Sequence, residues 1–370
     1  MKSVLIAPRK YVQGRGVLGE TGSYVALLGR KALLLWDAQV RRIVGAAVLG
    51  SLRAAAVEAV EVEFAGDSTR EEVARVARIA RESACEVIVG FGGGKALDTA
   101  KAAAHQAQTK IVTAPTIASN DSPTSSATVW YDAQGNCTGF ECWPFNPDIV
   151  LVDSEVIARA PVRTFVAGMG DALSTWVETE AAYKTRAANL GGGRPTMAAV
   201  ALARLCYDTL MEHGLEARRA VERQVLTPAV EKVIEANILL SGLGFESGGL
   251  ATAHAIANAL PSLPECRSLM HGEKVGFGIV SQRCLEDDVD VDETYAIVDF
   301  EIAVGLPVTF EELNLPGIGR DRLRQIGEIC AAPGSLCHNH AFDVTVESIV
   351  DAMIAADALG RARKELYDAS

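Results

Sequence analysis

Over the first 160 residues, short apolar runs alternate with segments of helical period. Lys31–Trp36, Ala56–Phe64, Glu86–Gly90 and Lys110–Ala114 read as strands, and Asp148–Asp153 as a last buried strand. Thr69–Ser83 has helical spacing, with Thr69 as N-cap and Glu72 as its capping-box partner three residues on. Thr124–Tyr131 and Cys137–Cys142 flank Asp132, Ala133, Gln134, Gly135 and Asn136, whose turn chemistry predicts a hairpin. Strands alternating with helices predict a parallel sheet with crossover helices. From about Pro161 the period changes. Val162–Thr185, Thr196–Glu212, Pro228–Leu243, Leu250–Leu260, Glu273–Glu286 and Val346–Arg363 all repeat as helices, with few strand signals. The prediction is an α/β domain over residues 1–160 followed by an α-helical domain over residues 161–370.

Length and charge sharpen this picture. A chain of 370 residues suits two domains, and 49% hydrophobic content supplies a large core. A formal net charge of −12 without any long Lys/Arg run argues against a nucleic-acid or anionic-membrane surface and favours a small-molecule partner. Pro8, Arg9 and Lys10 end the apolar start of the chain before signal-peptide length, and no stretch approaches a membrane span. The eight cysteines form no Cys-x-x-Cys pair, so reduced thiols in a cytoplasmic protein are expected. Cys137 with Cys142, and Cys337 with His338 and His340, lack the spacing of a metal motif.

The richest stretch is Val87–Lys101, where an apolar strand meets Gly92, Gly93 and Gly94 and then a helix. Glycines let backbone approach an anion, and the open N–H groups and dipole of a helix start favour negative charge. A nucleotide pyrophosphate is the expected ligand, against a plain strand-to-helix turn. Leu97 stands where Gly-x-Gly-x-x-Gly needs its third glycine, and Ala96 where a Walker loop needs a hydroxyl. Asp37, ending an earlier strand, has two readings: an acid for ribose hydroxyls, which would select NAD, or a helix N-cap. It precedes Gly92 by 55 positions (37 to 92), whereas the usual order puts the acid after the glycines, so spacing alone favours the cap. Gly191–Gly193 before Pro195 reads as a loop between helices, Gly244–Gly248 has its serine one position late for a hydrolase elbow, and Glu286, Asp287, Asp288 and Asp290 read as a solvated helix end.

Five separated segments together carry a resemblance: Gly92–Lys101, Ala114–Asp121, Gly168–Trp176, Gly242–Leu250 and His271–Val275. In order and spacing the chain closely resembles the glycerol dehydrogenases of the group III, iron-containing alcohol dehydrogenase family, a superfamily shared with dehydroquinate synthase. The likeness runs from about Lys10 nearly to the C-terminus.

The resemblance implies a doubly wound parallel-sheet NAD-binding domain, a helical metal-binding domain and one zinc ion per subunit. It assigns the ribose to Asp37, against the local preference for a cap. It assigns cofactor contacts to Gly92, Gly93, Gly94, Lys95, Ala96, Leu97 and Asp98, to Thr116, Ile117, Ala118 and Ser119, and to Ser125, Ala127 and Tyr131. Asp121 matches a residue that meets a substrate hydroxyl. Asp171, His254 and His271 match the metal ligands, with the two histidines also facing substrate; none has a metal spacing on its own. The implied reaction is NAD-dependent oxidation of glycerol to dihydroxyacetone, by hydride transfer from C2 of a metal-bound alkoxide. Another vicinal diol or polyol is the first alternative. A dehydroquinate-synthase-type cyclase and a non-catalytic NAD-binding protein are the others. A homo-oligomer, up to an octamer, is also implied. Relatives often carry histidine, threonine and a small residue where this chain has Ala257, Asn120 and Trp36, so the reaction type is implied more firmly than the diol.

Overall fold

The protein is described here from a computed structural model covering residues 2–132 and 134–369; Ala133, within the predicted turn, lies outside the described residues. Its strands are β1 (Tyr11–Gly14), β2 (Lys31–Trp36), β3 (Glu58–Glu63), β4 (Val87–Gly92), β5 (Lys110–Pro115), β6 (Ala127–Tyr131), β7 (Cys137–Cys142) and β8 (Ile149–Asp153). The helices of the first part are α1 (Thr21–Val25), α2 (Ala38–Ala54), α3 (Arg70–Glu82), α4 (Gly94–Ala107) and α5 (Ser154–Ala158). They continue as α6 (Val162–Thr185), α7 (Met197–Glu222), α8 (Pro228–Glu235), a π-helical turn (Ala236–Leu240), α9 (Ser241–Gly248), α10 (Thr252–Ala259), α11 (His271–Leu285), α12 (Val291–Val304), α13 (Arg320–Cys330) and α14 (Val346–Asp368).

Two compact units emerge. One comprises Ile6–Pro161 with Ala220–Gly242; the other comprises Met1–Leu5, Val162–Arg219 and Leu243–Ser370. The segment Ala220–Gly242 thus returns to the sheet-bearing unit, although its helical period groups it by sequence with the helical part. Hydrogen bonds explain the return: Glu231 accepts from Gln13 Nε2 and Ser154 Oγ, and the Ile238 carbonyl accepts from Thr124 Oγ1.

In the sheet-bearing unit six parallel strands run in the order β1-β8-β5-β4-β2-β3. Alternation sorts their side chains between two layers. Leu34 and Trp36 join the α2 face with Val40, Val44 and Val48, whereas Leu33 and Leu35 join the other with Val73, Val76 and Ala100. The winding direction reverses between β2 and β4, and doubly wound sheets bind ligands at such a switch point. β6 and β7 form the predicted hairpin, antiparallel and separate from the main sheet. Thr69 caps α3 by accepting from Glu72 N, as predicted, but the reciprocal half of the capping box is absent. The Glu72 carboxylate is instead occupied by the backbone N–H of Ala65 and by the guanidinium of Arg75 one turn on.

The helical unit has its own apolar core, built from α10, α11, α12, α13 and α14 around Phe277, Phe310 and Met353. One buried group there is unbalanced. Glu301 on α12 is 0% exposed and neither carboxylate oxygen receives a hydrogen bond. Burial, with Glu312 adding to it, pushes its pKa well above the usual 4.5. The unfolded chain releases this proton first, so stability falls as pH rises above about 4.5 toward the raised value. Glu301→Met is therefore expected to stabilise the fold by about 1–3 kcal/mol at pH 8 and by less at pH 5. Urea unfolding at both pH values checks this; an equal gain at both would contradict it.

Candidate functional site

Two groups of the predicted residues come together, one in each unit. In the sheet-bearing unit, β4 ends at Gly92, whose φ of +139° is open to glycine and costly for other residues. A Cβ at Gly93 would sit 2.9 Å from Ile117 Cδ1, and one at Gly94 2.7 Å from Asn120 Nδ2, so a side chain at either would push the tip of that neighbour aside. Gly93 is the N-cap of α4 and offers no capping side chain. The first turn of α4 therefore receives no side-chain cap from its N-cap residue.

The position of Asp37 reconciles its two readings. β2 and β4 are neighbours, with Leu35 opposite Gly90, so Asp37 comes level with Gly92 despite the 55 intervening positions. Asp37 does cap α2: Oδ1 accepts from Gln39 N at 2.7 Å and Val40 N at 2.8 Å. Both bonds use Oδ1. The 55 positions between Asp37 and Gly92, which span α2, β3 and α3, do not separate the two in the sheet.

Lys95 pairs with Asp67 and lies 4.4 Å above the Tyr131 ring, whose hydroxyl pKa burial raises. Ile117 and Ala127 are half-buried, whereas Ala96, Leu97, Thr116, Ala118, Ser119 and Ser125 are buried. Asp98 is turned inward. Its oxygens accept from Ser122 Oγ (2.6 Å) and Val129 N (2.9 Å) and pair with Lys101 (2.9 Å). Lys101 in turn donates to the carbonyls of Ser122, Ser125 and Ala127. The structure therefore uses Asp98 and Ser125 to fasten the loop to α4. Asp121 follows the Thr116–Ser119 segment, and its Oδ2 accepts from Ser241 Oγ at 3.0 Å.

In the helical unit, Asp171, His254 and His271 offer ligand atoms within 4.8 Å of one another. Among the described residues no other His, Cys, Asp or Glu cluster does so; the sequence pairs around Cys137 and Cys337 do not assemble. Asp171 Oδ1 is 3.5 Å from His254 Nε2 and 3.3 Å from His271 Nε2. The first ligand sits in the middle of α6, the second in the first turn of α10, and the third opens α11. Glycine sets the crossing of α6 on α11. A side chain at Gly272 would lie 1.7 Å from the Ala167 carbonyl oxygen, and one at Gly170 2.3 Å from that of Gly272. Without those two glycines Asp171 and His271 would be held further apart.

The site fits a cation. Asp171 is 1% exposed and neither of its oxygens receives a hydrogen bond, an expensive state for a buried carboxylate that lacks a positive partner. Burial alone would raise the Asp171 carboxyl, but His271 and His254 hold it well below the usual range. Burial opposes the charge on His254, yet Glu178 and Asp171 hold its pKa above 6.5. Positive charge is thus favoured where the three side chains meet. Sequence reasoning missed Glu178, seven residues beyond Asp171 on α6 and fully buried beside His254. Its signal in the sequence was an acid seven residues, or two turns, beyond Asp171 and so on the same face of α6.

Comparison with known proteins agrees with this architecture. Residues 8–154 match the family model described as iron-containing alcohol dehydrogenase. The chain is 42% identical to a glycerol dehydrogenase of Citrobacter freundii, over 98% of this chain and 99% of the relative. It is equally 42% identical to a glycolaldehyde reductase of Halobacterium salinarum, with the same shares covered. The crystal structure of glycerol dehydrogenase from Schizosaccharomyces pombe superposes with a TM-score of 0.95 at 36% identity, over 100% of this chain and 94% of that one. The chain belongs to the iron-containing alcohol dehydrogenase family and is an oxidoreductase acting on CH–OH groups.

Proposed function

We propose that the protein oxidises glycerol to dihydroxyacetone with NAD as hydride acceptor and a zinc ion held by Asp171, His254 and His271. The buried Asp171 carboxylate, with two imidazole nitrogens 3.3 and 3.5 Å from one of its oxygens, carries this reading. Two imidazoles and one carboxylate suit zinc with a position left open, and such an ion acts as a Lewis acid that eases loss of the alcohol proton. NAD supplies the hydride acceptor, which the protein has only to place and orient.

The chain's own residues do the rest. The Gly92–Gly94 turn offers open N–H groups to a pyrophosphate, and Asp37 Oδ2 accepts from ribose hydroxyls while repelling a 2′-phosphate. Asp121, steadied by Ser241, takes a substrate hydroxyl and sets which carbon is presented. Lys101 fastens the loop that follows Thr116–Ser119 to α4 through the carbonyls of Ser122 and Ser125. The reading includes a cytoplasmic homo-oligomer, up to an octamer.

The glycolaldehyde reductase relative, as similar as the glycerol dehydrogenases, favours a second reading: another vicinal diol, or the reverse reduction of a short hydroxyaldehyde. A panel of glycerol, 1,2-propanediol and glycolaldehyde, followed at the NADH absorbance with zinc, ferrous iron or chelator added, separates them. Glycerol with zinc is expected to give the highest kcat/KM. Higher turnover with glycolaldehyde would move the assignment to the second reading, and higher turnover with iron would replace the metal. Absence of NADH-linked turnover with every substrate would sink both.

A further inference from the structure

We infer that Glu178 is a positioning residue for His254, aiming its Nε2 at the metal position by holding both the ring and the start of the helix that carries it. The inference rests on the proposed metal site and adds to it a residue outside the ligand set.

Glu178 lies on α6 two turns beyond Asp171 and is completely buried. Its two oxygens do different work. Oε2 is 2.5 Å from His254 Nδ1, and because an ionised carboxylate can only accept, the ring donates there. Oε1 accepts from His254 N at 2.9 Å and from Ala251 N at 2.8 Å. Those two N–H groups belong to the first turn of α10, where no side chain of the N-cap, Ala251, serves as a cap. One carboxylate therefore does what a capping residue would do and also fixes the imidazole. With Nδ1 spent on Glu178, only Nε2 remains to face Asp171 Oδ1, 3.5 Å away.

The arrangement is economical in degrees of freedom. An imidazole on a helix can rotate about two side-chain torsions and can present either nitrogen. A partner that grips both Nδ1 and the residue's own backbone N–H removes those choices together. Because Asp171 and Glu178 stand on one helix, the ligand and the residue that orients its neighbour keep a constant separation. Partners of this kind hold metal-bound imidazoles in orientation, and their loss weakens metal binding about 10–100-fold.

The test compares wild type with Glu178→Gln, which keeps the shape and can still accept from the two backbone N–H groups but turns an N–H toward Nδ1. Zinc affinity is measured by chelator competition on the full-length protein. The unfolding midpoint of the metal-free protein is measured in parallel, since a purely structural carboxylate would act there and not on affinity. The expected result is a zinc Kd raised about 10–100-fold, with kcat falling more than KM changes and the metal-free midpoint near that of wild type. A Kd within about threefold of wild type overturns the inference, as does a weakened Kd accompanied by an equally weakened metal-free fold. Should Glu178→Gln not fold, Glu178→Asp keeps the charge near the helix start but withdraws it from Nδ1, and the same comparison decides. Zinc that fails to bind wild type would count against the metal site itself, whereas equal binding by both proteins would count against Glu178 alone.

Discussion

Substituting His271 with alanine should abolish turnover and bound metal while the protein stays folded and soluble. Lewis-acid stabilisation of a developing oxyanion amounts to several kcal/mol, and about 4 kcal/mol corresponds to about a thousandfold in rate. A loss of kcat/KM of at least that size is expected for His271→Ala. The fold should survive because the imidazole is 38% exposed and its one salt-bridge partner is Asp171. Its backbone opens α11, which Glu273 caps independently by accepting from Met270 N at 2.7 Å. Metal content after gel filtration and the NADH-linked rate check the prediction together. Full activity in the variant would remove His271 from the ligand set.

A methyl group at Gly272 should be nearly as damaging, by a different route. A Cβ there would meet the Ala167 carbonyl oxygen at 1.7 Å and its carbon at 2.6 Å, and backbone of a packed helix cannot swing aside. α6 and α11 would have to separate, carrying Asp171 away from His271. Overpacking usually costs about 1–3 kcal/mol, and a backbone-to-backbone clash belongs at or beyond the top of that range. Gly276→Ala, one turn on, is the control, because the nearest atom to its Cβ would be the side-chain oxygen Oε1 of Glu301 at 3.3 Å, with Glu301 Cδ and Leu306 Cβ at 3.7 and 3.8 Å and no backbone atom among them. Thermal unfolding should show a large loss for Gly272→Ala and a small one for Gly276→Ala, with metal lost only in the former. Similar midpoints for the two would mean that the crossing has room to spare.

Much of this was legible in the chain. Five strands of the parallel sheet were visible as apolar runs, whereas β1, a four-residue strand at the sheet edge, went unseen. Val162–Thr185 was visible as a helix to the residue, because a buried helix between a proline and a polar loop has clear ends. α12 and α13 went unseen. α12 mixes acids and apolar residues along its length, which blurs its period, and α13 carries so many charges that its buried stripe of Leu323, Ile326 and Cys330 is easily overlooked. The segment predicted as one helix over 228–243 is interrupted by the π-helical turn at Ala236–Leu240, whose extra residue per turn leaves no pattern of its own. Asp171, His254 and His271 are 83 and 17 positions apart (171 to 254, 254 to 271), so resemblance found them and spacing could not. Asp98 shows the opposite limit. Its place in the glycine motif suggested a cofactor contact, whereas the pairing with Lys101 that turns it inward depends on the carbonyls of a loop more than twenty residues away.

That inward pair has a thermodynamic consequence. Through Asp98 and Lys101 the loop around Ser122–Val129 is fastened to α4, the same helix that begins at the glycine turn. For the proposed cofactor site, this fastening would mean a surface largely preorganised before a dinucleotide arrives. The entropy of ordering that loop is met during folding, not at each binding event, so less of the contact energy is lost when a cofactor arrives. A dehydrogenase must bind and release its nicotinamide partner in every cycle. Rigidity here serves turnover by keeping each exchange a matter of contacts made and broken, with no loop to refold.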